Sequence, residues 1–320
     1  MIKLTDLLSS SSQLPILLDG GLGSMMEDCG INVKTPLWGS YAMLTEEGRQ
    51  INRDVHQNYA DAGANIILTN THNALLDNCR KFLLSGDIDY NYTRIDAKLN
   101  IEKQAVELHR IIIQSAVEDA NKVRPSKSQI LIANCIGSID QPYAKIGVVS
   151  TLDAAQIFET ELQTRLEISK DLIIFETLTT SEEVEGLSTA LWKTGLDNFA
   201  IGLTCGADGK TFGGVSLSDA VNKLAPFNPQ VFFIQCTHFE YVDKALTKLS
   251  EAVGNSFPIG VYANDGRGWD NGKMEWVGKR VTPAAYAEKA LGWHDAGADI
   301  IGGCCGTHPA HIKELRKVFS

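Results

Sequence analysis

The residues most capable of chemistry in this sequence are the adjacent thiols Cys304 and Cys305, which follow a short apolar run and two glycines. The run, residues 298–301, is typical of a buried β-strand, and the glycines indicate that the backbone turns or approaches another group closely. Neighbouring cysteines do not readily bond to each other, because a planar trans peptide does not favour the Cα separation of a disulfide. Two thiols at the end of a buried strand therefore indicate a metal site more than a cross-link.

A third thiol, Cys236, ends another apolar run earlier in the chain. If both runs are strands of a parallel barrel they are one strand apart, so Cys236 can point toward Cys304 and Cys305. Three thiolates with one open position form a catalytic type of zinc site, in contrast to a closed four-cysteine structural site. The alternative is that Cys236 is a buried core residue, which is common for a free cysteine. Spacing alone leaves both interpretations open.

Apolar, β-branched runs alternate with amphipathic stretches along the chain and predict the elements that would position these thiols. Strands are predicted at residues 16–19, 66–69, 130–135, 172–176, 200–204, 231–236, 259–262 and 299–303. Helices are predicted at residues 45–62, 101–123, 154–170, 181–194, 218–225, 240–252 and 282–296, with a short one at 4–8. Alternating strands and helices imply parallel strands with right-handed crossovers. The pattern predicts an α/β protein with a single domain, a (β/α)8 TIM barrel over residues 1–320.

Polar residues stand at the ends of the predicted strands, where barrel enzymes hold their active sites. Asp19, Gly20 and Gly21 follow the first strand, Glu176 ends the fourth, and Asn264 follows the seventh. Two connections, residues 72–99 and 264–279, are long for barrel loops. Each is interpreted either as a lid over the active site or as a surface insertion without contact to substrate.

Composition narrows the classes of function. The net charge is −10 without a dense basic cluster, which argues against binding to nucleic acid or an anionic membrane. Apolar runs stay well below the roughly 18 residues needed to span a bilayer, and the first residues lack the pattern of a secretory signal. We therefore expect a cytoplasmic protein that acts on small molecules. The 7 cysteines are scattered and odd in number, which favours free thiols or metal ligands over disulfides.

Several stretches, taken in order, together resemble one known family over nearly the whole chain. They are DGGLGSMMEDCGI, PLWGSYAML, ADAGANIILTNTHNA, FETLTTSEEVEGL, IQCTH, VYANDG and GADIIGGCCGTHPAHI. The sequence is similar to the homocysteine S-methyltransferase family, which includes enzymes that use S-methylmethionine, S-adenosylmethionine or betaine, and the homocysteine module of cobalamin-dependent methionine synthase. The GGCCGT stretch with an upstream cysteine-threonine pair is its most specific part.

The resemblance implies a role for each matching residue. Cys236, Cys304 and Cys305 correspond to the family's zinc ligands, with one Zn²⁺ per chain. The turn of Asp19, Gly20 and Gly21 corresponds to the one whose backbone N–H groups hold the carboxylate of homocysteine. Glu176 corresponds to the acid that contacts the substrate ammonium, together with Asp19, and Asn264 to the family's asparagine after the seventh strand. Cys29, Cys79, Cys135 and Cys205 match no family ligand.

The implied chemistry is transfer of a methyl group to the homocysteine thiolate, giving methionine. A free thiol is mostly protonated at neutral pH, and the thiolate is the nucleophile, so a zinc ion with an open position would hold the substrate sulfur deprotonated. The methyl donor must have a good leaving group and is expected to be a sulfonium, since the chain is too short for the larger members' extra modules. A cation favours aromatic faces, and the candidate side chains are Trp38, Tyr41, Trp269 and Trp276.

Other classes remain open at this point. A betaine-type methyltransferase would use the same residues. A barrel lyase or aldolase would use Gly302 and Gly303 as a phosphate cradle, but the predicted strands do not end in a lysine that could form a Schiff base. A redox or metal-storage protein would need its thiols at the surface.

Overall fold

The computed structural model describes residues 3–10, 14–90, 93, 95–123, 130–140, 142–270 and 275–320. Eight parallel strands form its centre, and each is a buried apolar run of the kind that both faces of a covered sheet require. In chain order they are Ile16–Leu17, Ile66–Leu68, Leu131–Ile136, Leu172–Leu178, Phe199–Leu203, Phe232–Gln235, Ile259–Ala263 and Ile300–Gly303, called barrel strands 1 to 8 below. All eight predicted strands are present, with ends that differ by at most two residues.

The strands close into a barrel. Strands 2 to 7 pair in chain order, strand 8 pairs with strand 7, and strand 1 pairs with strand 8. A parallel bridge between Leu18 and Ile66 joins the first strand to the second and completes the ring. The predicted (β/α)8 barrel is therefore confirmed, and the carboxyl ends of all eight strands meet at one opening.

Helices cover the outside of the barrel and return the chain from one strand to the next. They are Glu46–Ala62, Leu76–Ser85, Ile101–Ala120, Thr151–Ile168, Ser181–Thr194, Leu217–Leu224, Val242–Val253, Pro283–Asp295 and Pro309–Val318, with Leu4–Ser10 and Leu22–Asp28 before them. Their ends follow local sequence signals. Thr180 and Glu183 form a capping box at the start of Ser181–Thr194, and Gly63, with φ 113°, ends Glu46–Ala62 in the left-handed region.

Both connections that the sequence analysis interpreted as long loops contain regular structure. The stretch 72–99 contains the helix Leu76–Ser85, which begins without a side-chain cap, so its start lacks the sequence signal that marks most helices here. Within 264–279, Gly268–Asp270 pairs with Glu275–Val277 in a small antiparallel hairpin. Residues 91, 92, 94 and 271–274 of these two connections lie outside the described part of the chain, as do residues 11–13 near the amino terminus.

Within the described residues, no helix is both long enough and apolar enough to cross a bilayer.

Candidate metal and substrate site

The structure brings the three predicted cysteines together at the opening of the barrel. Cys236 follows strand 6, whereas Cys304 and Cys305 follow strand 8, and strand 7 lies between the two positions. The three Sγ atoms lie within 4.8 Å of one another, and those of Cys236 and Cys305 are 3.6 Å apart. Cys236 and Cys305 are buried, whereas Cys304 is partly exposed. One face of the cluster is thus open to a small ligand.

Tight backbone packing at the strand ends fixes these positions. Cys236 adopts a left-handed φ of 48°, which turns its side chain out of the strand direction and toward the neighbouring thiols. A Cβ atom on Gly21 would lie 2.5 Å from the carbonyl oxygen of Cys304, so only glycine allows the first strand end to approach the cysteine pair. The glycines at both strand ends therefore serve close packing of the thiol cluster.

The thiols are not equivalent electrostatically. Hydrogen bonds from Cys304 and Cys305, and a further one from Tyr143, hold the pKa of Cys236 well below its ordinary value, although burial opposes this. The pKa values of Cys304 and Cys305 are raised, because both lie next to the sulfur of Cys236 and both lose contact with water. Three sulfurs lie close together, and one of them already favours the thiolate form. This is the donor chemistry of a site for a soft metal ion. The residues present therefore fit a zinc ion.

Asn264 and Tyr143 both contact Cys236. The Nδ2 atom of Asn264 lies 3.0 Å from the carbonyl oxygen of Cys236 and 3.0 Å from the hydroxyl of Tyr143. The Tyr143 hydroxyl in turn lies 3.1 Å from the Cys236 sulfur. Burial and the neighbouring thiols raise the pKa of Tyr143, so its hydroxyl keeps its proton. Asn264 thus lies beside the cluster, whereas its predicted role in binding substrate stays a prediction. Tyr143 was not among the predicted site residues.

Glu176, at the end of strand 4, lies in a network of polar side chains next to the thiols. Its Oε2 atom is 2.9 Å from Nδ1 of His72, and its Oε1 atom accepts a hydrogen bond of 3.1 Å from the Tyr262 hydroxyl. Burial alone would lower the pKa of His72, but the hydrogen bond and charge of Glu176 raise it. Glu176 therefore has an imidazole partner whose protonated form its charge favours.

Gln235, the residue before Cys236, joins this network to the cluster. Its Oε1 atom accepts a 2.6 Å hydrogen bond from the backbone N–H of Thr177, which has a left-handed φ of 58°. Its Nε2 atom lies 3.5 Å from Glu176 Oε1 and 3.8 Å from Cys304 Sγ. One buried amide thus contacts both the acid and a thiol.

Asp19 is the second acid at the opening. It is fully buried, and Oδ2 accepts a 2.9 Å hydrogen bond from the backbone N–H of Leu68. No partner within hydrogen-bond distance reaches Oδ1 from the described residues. Burial, with the nearby charge of Glu176, raises the pKa of Asp19 well above its ordinary value. A buried acceptor without a partner is costly unless a ligand supplies a donor, so Oδ1 marks a position for a donor group.

The glycine turn after Asp19 is closely packed. A Cβ atom on Gly20 would lie 2.8 Å from Thr307 Oγ1, and the backbone N–H of Gly21 donates to that same oxygen over 3.2 Å. The turn therefore has the close approach that the sequence analysis expected, whereas its hold on a carboxylate stays a prediction.

The aromatic candidates divide into two groups. Trp38 and Trp276 pack against the thiol cluster together with Phe212, and Tyr143 makes edge contacts with Phe212 and Trp276. In contrast, Tyr41 packs against Phe82. The side chain of Trp269 lies outside the described part of the structure.

Two alternatives from the sequence analysis find little support in these contacts. A Cβ atom on Gly303 would lie 2.1 Å from Thr307 Oγ1, and one on Gly302 would lie 2.8 Å from Leu18 Cβ, so both glycines serve packing in place of a phosphate cradle. A thiol-storage protein would need accessible sulfurs, but of the four cysteines outside the cluster only Cys29 is exposed.

Sequence reasoning missed four members of the site: His72, Tyr143, Gln235 and Tyr262. Gln235 and Tyr262 lie on predicted strands. Their positions at or next to the strand ends could have included them in the predicted site. Tyr143 belongs to the irregular connection after strand 3, and no pattern links it to Cys236. His72 lies four residues after Leu68, the last residue of strand 2, and could have been included as a polar residue near a strand end.

The chain is similar to known proteins over nearly its whole length. The family model described as homocysteine S-methyltransferase matches residues 16–319. Homocysteine S-methyltransferase 3 of Arabidopsis thaliana is 26% identical over 319 residues, which cover 95% of this chain and 89% of the relative. Selenocysteine Se-methyltransferase of Brassica oleracea var. italica is 26% identical over 323 residues, which cover 94% of this chain and 88% of the relative.

Solved structures share the fold. The metallated form of the homocysteine methyltransferase MmuM from Escherichia coli superimposes with a TM-score of 0.74 at 24% identity, covering 96% of this chain and 97% of MmuM. Its oxidized form gives a TM-score of 0.76. Because the family model spans almost all of the 320 residues, this chain belongs to the homocysteine S-methyltransferase family and is a methyltransferase.

Proposed function

We propose that the protein transfers a methyl group from a sulfonium donor, S-methylmethionine or S-adenosylmethionine, to the sulfur of L-homocysteine and releases methionine. The observation that carries this proposal is the cluster of Cys236, Cys304 and Cys305, whose sulfurs lie within 4.8 Å of one another at the barrel opening. The partners would be small molecules, and we place the reaction in the cytoplasm, with residues 1–320 as one homocysteine-binding domain.

The three cysteines would hold a zinc ion. When bound, zinc would supply a Lewis acid that favours the deprotonated, nucleophilic form of the substrate thiol. The partial exposure of Cys304 supports an approach of the substrate sulfur from the open side of the cluster. Both Cys236 and Cys305 are shielded from water, which strengthens electrostatic effects at the sulfurs.

The two acids would bind the amino-acid end of homocysteine. Asp19 Oδ1 is a buried acceptor without a partner among the described residues, and a substrate ammonium would supply the missing donor. Glu176 would contribute negative charge beside it, while His72 and Tyr262 orient the carboxylate. The backbone N–H of Gly20 would hold the substrate carboxylate, while that of Asp19 donates to Ile66 and that of Gly21 donates to Thr307.

The methyl donor would bind over the thiol cluster. Trp38, Phe212 and Trp276 pack against the cysteines and offer aromatic faces for a cation. With homocysteine and the donor held in line, positioning would provide most of the rate acceleration.

The test is to incubate the purified protein with L-homocysteine and, separately, S-methylmethionine, S-adenosylmethionine or betaine, and to measure methionine by mass spectrometry. We expect methionine with a sulfonium donor. If methionine forms with betaine alone, the donor is betaine and not a sulfonium. If methionine forms with none of the donors, the proposal is overturned. Glu176→Gln should raise the KM for homocysteine and leave the bound metal unchanged.

A further inference from the structure

Methyl transfer at this site presents a problem of selectivity among sulfurs. If the proposed function holds, the donor lies against the aromatic side chains that also contact Cys236 and Cys305. The protein's own thiolates are then within reach of the methyl group that is meant for homocysteine. A cysteine that took the methyl would become a neutral thioether, because its Sγ would gain a bond to carbon while the donor sulfur leaves with the electron pair of the broken bond. Such a cysteine would lose the charge that a zinc ligand requires.

The hydrogen bonds around Cys236 have a definite direction. A backbone carbonyl oxygen only accepts, so the atom of Asn264 that lies 3.0 Å from the Cys236 carbonyl must be the amide nitrogen. That nitrogen also lies 3.0 Å from the Tyr143 hydroxyl and donates its second proton there. The Tyr143 oxygen thereby accepts from Asn264. A Cys236 thiolate has no proton to give, so the Tyr143 hydroxyl is the donor across the 3.1 Å contact, whereas a protonated Cys236 thiol would donate to Asn264 Oδ1 at 3.2 Å.

We propose that Tyr143 determines which sulfur is methylated, by donating a hydrogen bond that lowers the nucleophilicity of Cys236. The inference rests on the proposed function for its biological meaning. A donor on a thiolate stabilises its negative charge, and a thiolate that is stabilised in this way is a weaker nucleophile. Tyr143 packs with the buried thiols Cys236 and Cys305, whereas Cys304 is the partly exposed thiol, from whose side we expect the homocysteine sulfur to approach.

Backbone and packing both hold the hydroxyl in place. Tyr143 has a left-handed φ of 70°, a conformation that tyrosine rarely adopts and that places its ring inward from the connection after strand 3. The ring contacts Phe212 edge-on, with centroids 5.1 Å apart, and Trp276 at 6.4 Å. Tyr143 is only 8% exposed, so water does not readily replace its hydroxyl.

The test measures methylation of the protein itself. Wild type and Tyr143→Phe, both loaded with zinc to the same content, are treated with iodomethane, and the added methyl groups are assigned to individual cysteines by peptide mass spectrometry. Tyr143→Phe keeps the ring and removes only the hydroxyl. We expect methylation of Cys236 to become about tenfold faster, since losing a hydrogen bond to a charged group changes a rate by roughly that factor. The exposed thiol of Cys29 provides an internal reference whose rate should not change.

Two further variants separate the hydroxyl from its surroundings. Tyr90→Phe removes a hydroxyl that donates to Gln104 on the outer surface, 2.7 Å away, and should leave every cysteine as in wild type. Phe212→Leu loosens the packing of the Tyr143 ring but keeps its hydroxyl, and should also leave Cys236 protected.

The proposal is overturned if Cys236 reacts equally fast in wild type and Tyr143→Phe. It is also overturned if Cys304 and Cys305 accelerate as much as Cys236, or if Phe212→Leu has the effect of Tyr143→Phe, because either result would indicate a loosened site. Alkylation by iodomethane does not depend on turnover. A failure to form methionine would therefore contradict the proposed function alone, and a uniform alkylation rate would contradict the role of Tyr143 alone.

Discussion

Nδ1 of His72 lies 2.9 Å from Oε2 of Glu176, so the acid at the end of strand 4 already has a partner from the end of strand 2. Both residues stand at the barrel opening, and the pair lies close enough to the thiols for the charge of His72 to contribute to the lowered pKa of Cys236. A substrate ammonium that approaches Glu176 must share the carboxylate with this imidazole. The pair therefore connects protonation at the opening with stability and with substrate binding.

His72→Phe should lower the free energy of unfolding in a pH-dependent way. The pKa of His72 is raised from 6.5 in the folded protein, so the pair contributes fully below about pH 6.5 and its contribution is lost as the pH rises through the folded-state value. We expect a loss of about 1–3 kcal/mol near pH 6 that becomes smaller at higher pH. Urea unfolding at a series of pH values measures it, and a loss that stays constant with pH would contradict the pairing.

The contribution of Glu161 to the free energy of unfolding should have the opposite pH dependence. This fully buried acid contacts His109 and Arg165; burial would raise its pKa, but the charges of these two partners hold it at about 2. Its contribution to stability is present above pH 4.5 and is lost as the pH falls toward about 2. Glu161→Gln should cost about 3 kcal/mol or more at neutral pH and progressively less in acid. The partly exposed partner of Lys193, Glu159, is the control, since Glu159→Gln should change the unfolding free energy by only about 0.5 kcal/mol.

Gly21→Ala should disturb the thiol cluster. The added Cβ would lie 2.5 Å from the Cys304 carbonyl oxygen, and backbone cannot move aside easily, so we expect a loss of about 1–3 kcal/mol and weaker metal binding. The matched control is Gly292→Ala, because nothing lies within 4 Å of a Cβ there and the position is inside the helix Pro283–Asp295. That substitution should stabilise the protein by about 0.5–1 kcal/mol. Equal effects of the two changes on thermal unfolding would contradict the packing argument.

Gln235→Ala should affect substrate binding more than metal binding. Its amide holds the backbone of Thr177 and contacts Glu176, so its loss should raise the KM for homocysteine by roughly tenfold while about one zinc ion per chain remains. Gln230→Ala removes an amide near the start of strand 6 that donates to Asn198, and should leave KM unchanged. A Gln235→Ala protein with normal KM would show that the amide does not position the acid.

Much of the fold could be predicted because its signals are local. Each barrel strand is a short apolar run, and caps such as Thr180 mark where helices begin. The helix Leu76–Ser85 was missed because no capping side chain marks its start, and the hairpin at Gly268–Asp270 was missed because its strands are only three residues long.

The site could be predicted only in part. Asp19, Glu176 and the three cysteines stand at strand ends, where barrel topology makes them converge. Tyr143 reaches Cys236 through a left-handed backbone conformation in an irregular connection, which no sequence pattern indicates. Gln235 has the pattern of a buried strand residue, and its role depends on the strained conformation of Thr177.

The most direct measurement is the zinc content of the purified protein and of Cys236→Ser, by mass spectrometry of the metal, together with methionine formation by each. The three sulfurs lie within 4.8 Å of one another, so removing one should abolish tight binding. We expect about one zinc ion per wild-type chain, and the loss of both zinc and activity in the variant. A Cys236→Ser protein that keeps its zinc and its full rate of methionine formation would contradict the account.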